Sequence, residues 1–152
     1  MILYLDASAL VKRYIAEAGS AEVGRLIAQT DVVGTSVISR AEVAAALAKA
    51  VRVGLLSRDE AGAALQVFRA QWIDLVRLQL TEIIVARADA LAWEHGLRGY
   101  DAVHLGTALF WQDTIGDPIT LATFDRQLWQ KGEIAGLMVW PEDLERFTGS
   151  QA

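Results

Sequence analysis

Short apolar runs alternate along this chain with longer stretches of helical period. Ile2-Leu3-Tyr4-Leu5 is uninterrupted, as expected of a strand buried in a parallel sheet, and Asp6 ends it. A helix is expected from Ala7 to Glu17, and a second from Ala21 to Gln29 with Ser20 as its cap. Val32-Val33-Gly34-Thr35-Ser36 reads as the next strand. Ser39 then opens a helix through Val53, where Gly54 is a natural stop. Ser57-Arg58-Asp59-Glu60 has the form of a capping box and predicts a helix ending near Asp74. Leu75 to Leu80 alternates like a strand, Thr81 caps a helix that stops at Gly96, and Tyr100 to Gln112 is apolar with helical period. Ile119 to Thr123 is strand-like, Arg126 to Lys131 is a short helix, and Leu137 to Trp140 is a last strand.

Strands separated by helices imply right-handed crossovers and a parallel sheet with helices on both faces. In such sheets ligands bind beyond the carboxyl ends of the strands, so the residues just after each strand are the ones to inspect. No repeat, low-complexity tract or linker interrupts the pattern, and the two prolines, Pro118 and Pro141, fall at expected strand edges or turns. One domain over residues 1–152 is the simplest organisation.

Composition narrows the chemistry. There are no cysteines, which excludes disulfides, thiolate catalysis and cysteine-based zinc sites. No apolar run approaches the roughly 20 residues needed to span a bilayer. Met1 to Tyr14 lacks a basic stretch before its apolar run, and Asp6 breaks that run, so no signal peptide is expected and a cytoplasmic location is. The formal charge of −5 argues against nucleic-acid binding by bulk electrostatics. A carboxylate cluster that takes up cations would, however, make the bare chain look more acidic than its working form.

Four acids stand at strand ends or helix starts. Asp6 follows the first strand directly, and Asp125 comes two residues after Thr123. Glu42 lies in the first turn of the helix after the second strand, and Asp101 opens an apolar helix after Arg98-Gly99. Gathered on one edge they would repel, since two like charges 4 Å apart cost about 4 kcal/mol at an effective dielectric of 20. A divalent cation such as Mg²⁺ or Mn²⁺ makes such a cluster tolerable. Each acid also has a local structural reading. Asp6 and Asp125 can cap the helices that follow them. Asp101 can serve a helix dipole. Glu42 can complete a capping box, Ser39-Arg40-Ala41-Glu42.

Taken together, the four segments resemble the PIN-domain nuclease family, especially the VapC-type toxins of toxin–antitoxin pairs. They are Leu3-Tyr4-Leu5-Asp6-Ala7-Ser8-Ala9-Leu10-Val11-Lys12, Ser39-Arg40-Ala41-Glu42, Leu97-Arg98-Gly99-Tyr100-Asp101-Ala102-Val103-His104-Leu105 and Thr123-Phe124-Asp125-Arg126-Gln127-Leu128. The resemblance runs from Met1 to about Glu142, and the family's four acids fall on Asp6, Glu42, Asp101 and Asp125. Gly99-Tyr100 and Gly106 depart from the alanine-rich pattern expected there, as changes of packing. The resemblance implies a three-layer α/β/α PIN-like fold with a central, mainly parallel twisted sheet. It implies a metal-dependent endoribonuclease with one or two Mg²⁺ or Mn²⁺ ions, leaving 5′-phosphate and 3′-hydroxyl ends on RNA. Asp6 and Asp101 are expected as direct ligands, with Glu42 and Asp125 binding directly or through water. Ser8 and Thr123 are candidates to support the site by hydrogen bonds. Homodimerisation and a small antitoxin that sets a basic side chain against the carboxylates are implied as well.

Arg98, Lys12 and Arg40 are candidate phosphate contacts, as are Arg13 and Arg126, with solvated surface charge as the alternative for each. A two-histidine mechanism on His95 and His104 fits poorly. His95 suits a helix C-terminus, and His104 sits on an apolar helix where a hydrogen-bonded histidine is expected. The five tryptophans are read mostly as core, with some available to a dimer or antitoxin face. A phospho-acceptor receiver would want paired acids after the first strand, and a haloacid-dehalogenase-type phosphatase an acid at position 8. Ala7 and Ser8 stand there instead. A housekeeping RNA-processing nuclease and a non-catalytic module of the same fold are the remaining alternatives.

Overall fold

The computed structural model describes residues 1–148, and residues 149–152 of the expected domain lie outside the described residues. Five strands, β1 (Ile2–Leu5), β2 (Val32–Ser36), β3 (Val76–Leu78), β4 (Thr120–Ala122) and β5 (Met138–Trp140), pair in parallel in the order β3-β2-β1-β4-β5. Register is set on β1, where Leu3 lies between Val33 and Thr120 and Tyr4 between Gly34 and Leu121.

Alternation along β1 divides the core in two. Leu3 and Leu5 pack with α1 (Ala7–Leu10), α2 (Ser20–Ala28), α3 (Ser39–Arg52) and α4 (Arg58–Gln71), through Leu10, Leu26, Val43, Leu47 and Phe68. Tyr4 points the other way, among Ala88 of α5 (Glu82–His95), Leu105 and Leu109 of α6 (Gly99–Ile115), and Leu128 of α7 (Arg126–Ile134). This is the three-layer α/β/α arrangement expected; a short α8 (Glu145–Thr148) follows β5. One glycine permits close packing on the sheet. A Cβ on Gly34 would meet the Trp111 ring at 2.6 Å, so glycine lets the indole approach β2.

Local signals behaved as capping chemistry requires in several places. Ser57 and Glu60 form the reciprocal capping box, the Thr81 hydroxyl accepts from the Ile84 N–H, and Gly96 closes α5 in the left-handed region. Three expectations are corrected. The helix expected over Ala7–Glu17 is one α-turn continued as a 3₁₀ turn, Val11–Arg13. There Lys12 ties back to Glu17 and to the Ala18 carbonyl, which turns the chain away from helical continuation. Ser20 is the first residue of α2 rather than its cap; its hydroxyl donates to the Ile15 carbonyl and accepts from the Glu17 N–H. Ser39 caps nothing, because Ile38 before it is already helical. Its hydroxyl bonds Thr35 at 2.6 Å, and Thr35 in turn donates to the Leu5 carbonyl. Among the described residues no helix is long and apolar enough to cross a membrane.

Candidate active site at the carboxyl edge of the sheet

The strand order shows where a ligand can enter. From β1 the chain steps outward to β2 and β3 over one face, then returns through α5 and α6 on the other face to place β4 beside β1. Beyond the carboxyl ends of β1 and β4 the connections diverge, which opens the crevice typical of a topological switch point. Asp6 follows β1, and Thr123 to Asp125 follow β4, so both sides of that crevice carry candidate residues.

Asp6 is only 3% exposed, yet neither of its oxygens lacks a donor. Oδ1 accepts from the Ser8 hydroxyl at 2.7 Å and the Ala9 N–H at 3.0 Å, and Oδ2 accepts from the Thr123 hydroxyl at 2.7 Å. Asp6 thus caps α1 and faces the crevice at once. Ser8 and Thr123 both hydrogen-bond to it, and they also tie the two loops together. The Ser8 hydroxyl accepts from the Phe124 N–H, and the Thr123 hydroxyl from the Asp125 N–H. Burial pushes the Asp6 pKa above its ordinary value, against the lowering effects of the nearby His104 and the Thr123, Ser8 and Ala9 donors.

Asp101, in the first turn of α6, and Asp125, the cap of α7, are joined by one guanidinium. Arg98 donates from Nε to Asp101 Oδ2 at 3.0 Å and from Nη2 to Asp125 Oδ2 at 2.5 Å. Asp125 Oδ1 meanwhile accepts from the Leu128 N–H, so each oxygen has a separate task. The Asp101 pKa is raised, first by burial and then by the like charge of Asp125, with Arg98 opposing both.

Glu42 reaches inward to His104, with Oε1 2.7 Å from Nε2. The other ring nitrogen, Nδ1, lies 2.8 Å from the hydroxyl of the fully buried Tyr4. His104 is therefore hydrogen-bonded, as expected of a histidine on an apolar helix, but its partner is one of the four acids. Sequence reasoning did not connect Tyr4 or His104 with the site. The available signal was the i,i+3 spacing of Asp101 and His104 beside an otherwise apolar helix face.

The basic candidates separate. Arg98 lies on the acids, and Arg40 is exposed in the first turn of α3. Lys12 is held by Glu17 and Ala18 with its ammonium 4.3 Å from the centre of the Phe124 ring, a structural role. Trp72 and Trp111 are core, Trp129 and Trp140 are half-buried, and Trp93 is 92% exposed.

No three His, Asp or Glu side chains among the described residues converge as a ready-made cation site. The donor chemistry nevertheless suits a hard divalent cation. The site offers carboxylate oxygens, and two of its acids are raised in pKa by burial and crowding. Arg98 is the group that now satisfies part of that negative charge.

Comparison with known proteins agrees with this geometry. Residues 3–133 match the family model described as PIN domain. The chain is 37% identical over 145 residues to "Ribonuclease VapC45" of Mycobacterium tuberculosis, covering 95% of this chain and 98% of that one. It is 34% identical over 131 residues to "Ribonuclease VapC3" of Pyrobaculum aerophilum, covering 86% and 95%. Among solved structures, PAE2754 from Pyrobaculum aerophilum superposes with a TM-score of 0.65 at 22% identity, over 99% of this chain and 91% of that one. VapBC2 from Rickettsia felis, solved on a DNA fragment from its promoter, gives 0.64 at 16% identity, over 94% and 100%. A family match over most of the length, close relatives along nearly the whole chain and a shared architecture lead to one conclusion: the chain belongs to the PIN-domain family.

Proposed function

We propose that this chain is a divalent-metal-dependent endoribonuclease, the toxin of a toxin–antitoxin pair, acting as one nuclease domain over residues 1–152. The observation that carries the reading is the buried Asp6, held by three donors at the switch point of the sheet, together with a second, crowded pair, Asp101 and Asp125, bridged by Arg98. Hydrogen bonds fix the Asp6 carboxylate at a place where burial disfavours its charge. That combination suits an acid whose partner is a cation. Relatives named as ribonucleases and a structural neighbour described as a toxin–antitoxin complex from Klebsiella pneumoniae, with a TM-score of 0.58 at 20% identity, support the same reading.

Asp6 and Asp101 are the proposed direct ligands of one or two Mg²⁺ or Mn²⁺ ions, with Glu42 and Asp125 binding directly or through water. When bound, the metal supplies an activated water and stabilises the leaving 3′-oxygen. The chain's own residues do the rest. Ser8 and Thr123 keep Asp6 in one orientation. Arg98 and Arg40 are the proposed contacts to RNA phosphates; Lys12 is left out because it is occupied within its own loop.

Two surfaces support the proposed partners. Between α3 and α4 lies a cleft of about 540 Å³ lined by Ala44, Leu47, Val51, Ala61 and Leu65, suited to an apolar segment of a small antitoxin. On α5 the exposed Ile83, Ala86, Ala90 and Trp93 follow 3-4-3 spacing, the seam of a helix pair, and suit a second copy of the chain. The deciding assay is cleavage of total RNA by antitoxin-free protein with Mg²⁺, with Mn²⁺ and with chelator, beside the Asp6→Asn plus Asp101→Asn variant. Discrete metal-dependent fragments that vanish in the variant are expected. Absence of cleavage by folded protein would favour a non-catalytic interaction module.

A further inference from the structure

Glu42 differs from the other three acids in having a buried histidine as its side-chain partner. Three elements contribute to the contact: Tyr4 from β1, His104 from α6 and Glu42 from α3. Tyr4 is fully buried and His104 is 2% exposed, while the Glu42 side chain keeps 27% of its surface open. The row of polar groups therefore begins in the core and reaches solvent only at a carboxylate.

Donor and acceptor roles follow from the chemistry. A carboxylate only accepts, so His104 Nε2 carries the hydrogen that lies toward Glu42 Oε1. In the neutral ring Nδ1 is then an acceptor, and the Tyr4 hydroxyl donates to it. The rings meet edge to face, with centroids 5.9 Å apart at 71°, which limits rotation of the imidazole. Among the described residues no buried side-chain nitrogen or oxygen is left without a partner, so the row is fully satisfied. A phenylalanine and a leucine would fill the same core without any polar group to satisfy. What the polar row adds lies at its open end. It holds a flexible glutamate in one rotamer, with Oε1 taken and Oε2 left for another ligand.

We propose that His104, backed by Tyr4, is a positioning residue for Glu42, orienting its carboxylate for the divalent cation of the site. This rests on the metal-nuclease reading above. Partners of this kind behind a ligand change metal affinity by about 10- to 100-fold when removed.

The test is Mn²⁺ binding by titration calorimetry to the antitoxin-free chain, with folding of each variant checked by circular dichroism. His104→Leu is expected to weaken Mn²⁺ binding by about 10-fold or more, and Tyr4→Phe by a smaller factor. His104→Gln places an amide N–H near the position of Nε2 and is expected to recover most of the affinity. In a Glu42→Gln background the His104→Leu change should add little, because its effect runs through that carboxylate. Unchanged Mn²⁺ affinity in folded Tyr4→Phe and His104→Leu would overturn the proposal. So would an equal loss with and without Glu42, which would mark a packing role only. If the unaltered chain binds no more Mn²⁺ than Asp6→Asn, the metal reading itself fails and the proposal falls with it.

Discussion

Replacing Thr123 by valine keeps the shape of a fully buried side chain and removes one oxygen. That oxygen donates to Asp6 Oδ2 at 2.7 Å and accepts from the Asp125 N–H at 3.1 Å. The first bond is charge-assisted, in the class worth about 1.5–3 kcal/mol, and the second is an ordinary bond worth about 1 kcal/mol. Water can reach the partly buried Asp125 amide, so the second term is discounted. The loss should be about 2–3 kcal/mol, or roughly 4–12 °C in melting temperature for a chain of this size. The pH dependence has a definite sign. Thr123 stabilises the ionised form of Asp6, so its removal raises the Asp6 pKa further. The deficit is therefore full above the elevated Asp6 pKa of the folded state, where Asp6 is ionised, and shrinks as pH falls through it. Urea unfolding at pH 7 and at mildly acidic pH, in chelator, measures both features. Thr123→Ser retains the oxygen and should cost about 1 kcal/mol, the value of a methyl group. A valine variant within about 0.5 kcal/mol of the parent, or a deficit that ignores pH, would refute the reasoning.

Other outcomes follow from the same geometry. Asp6 and Asp101 have raised pKa values, so above the ordinary carboxylate range these two groups hold more protons in the folded state than in the unfolded chain. Without divalent metal, stability should fall as pH rises through those folded pKa values. Thermal melts should show that slope flattened in Asp6→Asn plus Asp101→Asn, and in the parent once Mg²⁺ is added. Arg98→Ala should move two affinities in opposite directions. Mg²⁺ binding tightens, because a competing cation leaves Asp101 and Asp125, while RNA binding weakens and its logarithmic salt slope drops by about 0.7. Equal shifts of the same sign would count against the phosphate contact. For the α5 seam, Trp93→Glu should shift the chain to monomer by light scattering. Because the chain has no cysteine, a mixture of Ala86→Cys and Ala90→Cys chains reports antiparallel pairing by forming a mixed disulfide faster than either alone forms its own. A dimer that survives Trp93→Glu would place the interface elsewhere.

How much the chain reveals before folding is considered depends on the range of the interaction. The strands, the Ser57–Glu60 capping box, the Thr81 cap and the Gly96 stop were legible because each rests on residues within a few positions of one another. The positions of Asp6 and Asp125 at strand ends were legible for the same reason, and their capping bonds are present beside the proposed function rather than instead of it. Misreadings came where a distant partner took a side chain away from its local use. Ser39 bonds Thr35 and leaves no capping box, which frees Glu42 for His104 sixty-two residues away. Ser20 and Lys12 close a loop where a longer helix was expected. Alternation of apolar and polar residues, helix stops and the edge on which the acids stand were thus determined by the sequence alone, since backbone geometry converts them directly into local structure. The strand order that puts β4 beside β1, the Arg98 bridge between Asp101 and Asp125, and the row from Tyr4 through His104 to Glu42 were decided only by tertiary packing, because each joins groups whose proximity exists only once the sheet has assembled.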